Sequence, residues 1–255
     1  MAWPGSSALI CAALLVCTFP AVSQQVPPAP SQPLSVNQIV DRMQQHEANQ
    51  SKELKHYDAV RHYQVRYKGF GTQIAAAMAV DLDFDRSSGK TFRIVSQSGS
   101  KLLCDKVLKR AVESEAEASK DKASTALTPA NYRFEPLGTE QLQGRPTYVL
   151  HVDPLKKSKF LYRGKVWVDA ADFAVVKIEV EPAQNPSFWI SSTRIDYTNS
   201  KTDGVWLPQE NRSESKIRVG GTAVLTIDYG AYHVVLASPP QVSNGTASST
   251  KAAAF

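Results

Sequence analysis

The chain has 255 residues, of which 42% are hydrophobic and 21% charged. That balance belongs to a folded domain and excludes disordered, fibrous and helical membrane classes. A formal charge of +5 disposes the chain mildly toward anionic surfaces; a solvated basic surface is the plainer reading, and no nucleic-acid partner is expected.

Residues 1–23 have the pattern of a secretory leader, with an apolar run from Ala8 to Val16 and small residues at Ala21-Val22-Ser23. The run is too short to span a bilayer as a helix. Export to the periplasm with cleavage near Ser23 is therefore expected, although the leader's start carries no Lys or Arg. Val16 stands where a lipidation signal wants a small residue, which argues against acylation at Cys17. Loss of the leader removes Cys11 and Cys17 and leaves Cys104 alone, so no intramolecular disulfide can form. Residues 24–34 open with QQVPPAPSQP, an extended Pro-rich tether.

The first helix is expected from Ser35, a cap whose partner in a capping box is Gln38. Val36, Ile39, Val40 and Met43 follow at helical spacing and give one apolar stripe. The spacing weakens after Met43, and frayed helix or loop is expected up to Tyr57. Strands then begin. Tyr63, Val65 and Tyr67 alternate with polar neighbours, and Met78, Val80, Leu82 and Phe84 alternate with Ala79, Asp81, Asp83 and Asp85. Gly69-Phe70-Gly71 makes an apolar tip between these two strands, and Ser87-Ser88-Gly89 turns the second into a hairpin.

A second helix should run from Ser100 to about Ala118, its stripe made by Leu103, Val107, Leu108, Ala111 and Val112. Glu113, Glu115 and Glu117 near its end oppose the helix dipole, so fraying is expected there. The polar run SKDKASTALTP reads as a surface loop, and the helix before it as a lid across the sheet. A hairpin through Gln143-Gly144-Arg145 follows, then β-rich runs of about ten residues each with links too short for crossover helices. Pro186 and Pro208 should mark strand ends or an edge. The pattern fades after Tyr232, and residues 237–255 are expected to be disordered.

From GKVWVDAADFAVVKIEVEPA, with its two-residue Ala-Ala link, through PSFWISSTRIDY to DGVWLPQENRSESKIRVGGTAVLTIDY, the arrangement resembles the LolA/LolB/RseB-like superfamily, whose members include outer-membrane lipoprotein-sorting proteins. The resemblance implies an incomplete antiparallel barrel wrapped around helices, with an apolar cavity for acyl chains. It also implies a membrane-bound donor or acceptor protein as partner.

The residues support the same picture independently. The expected fold is α+β and β-rich: a strongly curved antiparallel sheet or incomplete barrel of about ten or eleven strands with two covering helices, over residues 35–236. Its concave face would carry Met78, Val80, Phe84, Phe92, Ile94, Leu150, Ile195, Tyr197, Leu225 and Ile227, and these are the candidate lipid-binding residues. The same side chains could instead close into a dry core, leaving a monomeric module that binds proteins by its edge or outer face. Catalysis is not expected, since no nucleophile elbow, phosphate loop or paired metal ligands occur; neither a cofactor nor a metal is implied. The acids Asp81, Asp83 and Asp85 read as a charged outer face. Trp167, Trp189 and Trp206 suit either ordinary sheet packing or a girdle at a cavity mouth.

Overall fold

The computed structural model describes residues 34–237. The expected leader, the tether apart from Leu34, and the tail beyond Ala237 lie outside the described residues.

Ser35 caps α1 (Val36–Glu53) as its sequence requires: the Ser35 hydroxyl accepts from the Gln38 N–H, and the Gln38 side chain accepts from the Ser35 N–H. The helix does not fray after Met43. It continues to Glu53 although its second half buries no side chain, because Gln50 is tied to the backbone of a distant strand at Trp206. Next come β1 (Leu54–Gly69), β2 (Thr72–Asp85) and β3 (Gly89–Gly99). They lead into α2 (Lys101–Leu103), a π-helical turn over Cys104–Leu108, and α3 (Lys109–Lys120). The polar run beyond is partly helical, forming α4 (Lys122–Thr125), whose last carbonyls are held by the Asn131 amide.

The remaining strands are β4 (Tyr132–Leu142), β5 (Arg145–Pro154), β6 (Tyr162–Asp169), β7 (Val175–Pro182), β8 (Ile190–Thr202), β9 (Val205–Ile217), β10 (Thr222–Asp228) and β11 (Tyr232–Leu236). All pair antiparallel in one 11-stranded sheet, ordered β3-β2-β1-β10-β9-β8-β7-β6-β5-β4 with β11 also on β1. The two ends of that order, β3 and β4, do not pair, so the sheet is an incomplete barrel with helices. Where the strand pattern was expected to fade, after Tyr232, a regular strand forms: β11 prolongs the line of β10 along the first half of β1. Between them Gly230 sits at φ 65°, where an added Cβ would strike the Val60 carbonyl.

One other local expectation fails for an identifiable reason. The Ala-Ala link is longer, covering residues 170–174, because the buried Asp169 carboxylate accepts from the N–H groups of Ala171 and Asp172 and opens the turn. Pro208 lies inside β9 and marks a local edge there, one of the two placements expected for it. It is tolerated there because β10 does not reach it, its pairing with β9 stopping at Glu210.

Two apolar cores result. One joins β1, β2, β9 and β10 to the α2–α3 segment, and includes Tyr63, Val65, Met78, Leu82 and Leu108. The other joins the α1 stripe of Ile39, Val40 and Met43 to Leu150, Val152, Val166 and Val168 of β5 and β6. Because adjacent strand residues face opposite ways, Val149, Trp167 and Val176 form a smaller cluster on the reverse side, with Trp206.

Candidate functional site

The α1 helix buries apolar side chains along its first two turns only, and between that contact and the Gln50–Trp206 hydrogen bonds a space remains. It is a partly open cavity of about 620 Å³ between the second half of α1, residues 122–128 and the far ends of β7, β8 and β9. Met43, Ala48, Leu127, Phe173 and Val175 supply apolar wall, while Gln44, Gln50 and Asn199 supply polar atoms. This volume falls within the range of roughly 300–1,000 Å³ usual for small-molecule sites.

Charged residues outside the cavity hold the turn before β7 and the Trp206 ring that line it. Asp169, its side chain 1% exposed, binds Arg145 through two contacts of 2.5 and 2.9 Å. Burial raises the Asp169 carboxyl, but the Arg145 and backbone N–H bonds outweigh it and hold it below the usual carboxylate range. Asp172 accepts from Lys201 at 2.8 Å and from the Trp206 indole N–H at 2.9 Å. Lys201 above all keeps Asp172 ionised to lower pH than usual. On the opposite wall, the Gln50 side chain donates to the Trp206 carbonyl and accepts from the Trp206 N–H, both at 2.9 Å. Phe173 stands at φ 59°, a conformation that an aromatic residue rarely adopts. It is pinned there between the Tyr148 ring, at 6.1 Å, and the Arg42 guanidinium, at 4.9 Å.

The second feature is a charge inside the larger core. Arg61 shares its strand face with Ala59, Tyr63 and Val65, and is fully buried. Its Nη1 lies 2.6 Å from Glu115 of α3, which Lys90 of β3 also reaches at 3.0 Å. The Tyr229 ring stacks on the guanidinium at 4.4 Å. Among the described residues, Arg61 Nε and Nη2 and the hydroxyls of Tyr63 and Tyr232 have no hydrogen-bond partner. Burial raises the Glu115 carboxyl, but Lys90 and Arg61 together hold it below the ordinary value. Burial opposes charge on Arg61, and Glu115 and the tyrosines more than restore it. Burial pushes Tyr57 up to about 12. The acids expected to fray the helix therefore do the reverse at Glu115, which fastens α3 to β1 and β3.

The candidate lipid-binding residues divide between these regions. Met78, Val80 and Ile227 are buried in the larger core, with Phe84, Phe92, Tyr197 and Leu225 packed against it. Leu150 is in the α1 core. Ile195 is half-buried on β8, and Ile94 is 38% exposed on the edge strand β3. None of the ten is among the residues lining the cavity under α1. Arg61 was legible as an inward position, since it has the parity of Tyr63 and Val65. The cavity residues carry no periodic signal, because most lie on the polar side of α1 and in turns. Trp167 and Trp206 are buried in the reverse cluster, whereas Trp189 is 58% exposed.

No protein-family model and no curated protein matches the chain. Among solved structures it is similar to a DUF1329 family protein from Desulfovibrio piger, at 12% identity and a TM-score of 0.40, covering 78% of this chain and 92% of that one. It is similar to an outer membrane lipoprotein-sorting protein domain from Vibrio parahaemolyticus, at 13% identity and a TM-score of 0.40, covering 76% of this chain and 91% of that one. A LolA superfamily protein from Nitrosomonas europaea matches at 12% identity and a TM-score of 0.34, covering 81% of this chain and 96% of that one.

Proposed function

We propose that this protein is a non-enzymatic carrier or sensor of the bacterial envelope that holds a lipoprotein acyl chain or another lipid between sheet and helices. The observation that carries the reading is the cavity of about 620 Å³ roofed by α1 and residues 122–128. Burying about seven methylenes there gains roughly 5–6 kcal/mol, enough for reversible retention without any catalytic group. The Gln44 side chain and the Asn199 amide oxygen offer polar contacts for the ester or amide end of the chain.

In this reading Met78, Val80, Phe84, Phe92, Tyr197, Leu225 and Ile227 of the larger core form a second wall that becomes available when the α2–α3 segment lifts. The Arg61–Glu115 pair is then the latch, because it joins that segment to the sheet from inside. A π-helical turn at Cys104–Leu108 gives the segment an irregular point about which it can bend.

A second reading, a protein-binding module without lipid, draws support from the closed packing of both cores. Lipid extraction and native mass spectrometry of protein purified without detergent from a periplasmic extract separate the two. A bound lipid, lost when Ala126 on the cavity wall is replaced by Trp, supports the carrier. Protein that carries no lipid and takes up none from added fatty acid supports the module and refutes the carrier.

A further inference from the structure

The two ends of the sheet differ sharply. At one end lie the β1–β2, β5–β6, β7–β8 and β9–β10 connections, residues 68–73, 155–161, 183–191 and 216–221. Lys68, Lys156, Lys157, Lys159, Lys216 and Arg218 are their only charged residues; Lys159 is paired with Glu117 of α3 at 2.9 Å, so the other five carry the basic character. Their tips carry large apolar side chains in water: Phe70 is 76% exposed, Phe188 75%, Trp189 58%, Val219 57% and Leu155 55%. At the other end, the β2–β3, β4–β5, β6–β7 and β8–β9 turns and the strand residues beside them carry Asp85, Asp169, Asp172 and Asp203 against Arg86, Lys90, Arg145 and Lys201, so charge there is balanced. No large apolar side chain is exposed in those turns.

The basic end is one connected surface. The Ala183 N–H donates to the Leu161 carbonyl at 2.7 Å, and the Arg218 N–H to the Trp189 carbonyl at 2.8 Å. Arg218 lies over the Phe188 ring at 5.4 Å. The Tyr67 hydroxyl donates to the Gly220 carbonyl at 3.0 Å, and the Phe70 ring packs on Gly220. Aromatic and aliphatic tips of this size, left in water, mark a contact surface.

We propose that this end of the sheet is a membrane-docking rim that inserts Phe70, Phe188 and Trp189 into the headgroup region of an anionic lipid surface. The apolar groups protrude on loop tips and form no groove, so they suit a soft, flat partner better than a folded protein. Trp is favoured at the headgroup level and Phe just beneath it, and the surrounding cations match anionic headgroups. Each cation near such a surface strengthens partitioning by roughly fivefold. The cavity under α1 lies at the other strand end, at Phe173, Asn199 and Trp206. Docking therefore leaves it in the aqueous phase.

Co-sedimentation of the full chain with phosphatidylethanolamine–phosphatidylglycerol vesicles tests this, with phosphatidylcholine vesicles as comparison. Binding is expected on the anionic vesicles and should weaken as salt rises. The double variant Phe188→Ser with Trp189→Ser should lose about tenfold or more of it. Lys216→Glu with Arg218→Glu should abolish the preference for anionic lipid, whereas Leu137→Ser, an exposed apolar site on β4, should change nothing. All these positions are exposed, so thermal midpoints close to wild type will show that folding is intact. A wild-type chain that ignores both vesicles, or a serine double variant that binds like wild type, overturns the proposal. So does self-association that depends on Phe188 and Trp189 without vesicle binding, which would assign the rim to a second copy.

Discussion

Removing the two members of the buried ion pair should have unequal effects. Arg61 has no exposed surface and cannot shed its proton, whereas the Glu115 side chain is 25% exposed and retains Lys90 at 3.0 Å. In Glu115→Ala the guanidinium stays in an apolar core without a counter-charge, and an uncompensated buried charge costs about 3–5 kcal/mol. In Arg61→Met the core gains an apolar chain of similar length, and Glu115 can turn toward water with Lys90, so a loss of about 1–2 kcal/mol is expected. With a urea slope near 2 kcal/mol per molar, the midpoint should fall by roughly 1.5–2.5 M for Glu115→Ala and by under about 1 M for Arg61→Met. The double variant should be more stable than Glu115→Ala alone, since the offending charge is gone. Hydrogen exchange should quicken in residues 101–120 of Glu115→Ala before it does so in β1. If Arg61→Met is the more damaging change, or the double variant is the least stable of the three, the pair is not the fastening described.

Acid should loosen the same segment. The folded-state carboxyl of Glu115 lies below its ordinary value of 4.5, so its stabilisation is present above that value and is lost as pH falls through the lower folded one. Thermal midpoints measured downward from pH 6 should show this decline, and Glu115→Gln should remove the part due to this group; an unchanged profile contradicts the assignment. At the alkaline end, burial raises Tyr57 from 10.0 to about 12, so its neutral form stabilises the fold below pH 10 and that contribution disappears as pH rises through 12. Absorbance of ionised tyrosine should accordingly rise together with unfolding. Gln50→Ala leaves the Trp206 N–H and carbonyl without the two 2.9 Å bonds and should cost about 1–3 kcal/mol. An effect under a few tenths of that would mean water replaces the amide.

Much of the fold was readable in the residues because each strand is wet on one face. Tyr63, Val65, Met78 and Val80 alternate strictly, and their β1–β2 pairing keeps them on one side. The capping pair Ser35 and Gln38 likewise located the start of α1 to the residue. What periodicity could not supply was anything held by a single long-range contact. The second half of α1 depends on Gln50 meeting β9, and β11 depends on β1 offering a free stretch beside β10.

The site was harder to read for a related reason. Alternation locates a face but not whether that face is filled, and Tyr229 and Tyr232 together with the α2–α3 segment occupy much of the space above Met78 and Val80. The remaining volume lies where turns and a polar helix face meet. Arg61 needed only the parity of its neighbours to be recognised as buried, but its partner stands 54 residues away on another element.

The most direct measurement is a fluorescence titration of the purified full chain with a fatty acid carrying an environment-sensitive probe, comparing wild type with Ala126→Trp. Wild type should saturate at one chain per protein, and the bulky residue in the cavity wall should weaken binding at least tenfold while leaving the urea midpoint unchanged. Equal binding by the two proteins, or none by wild type, would contradict an acyl chain beneath α1.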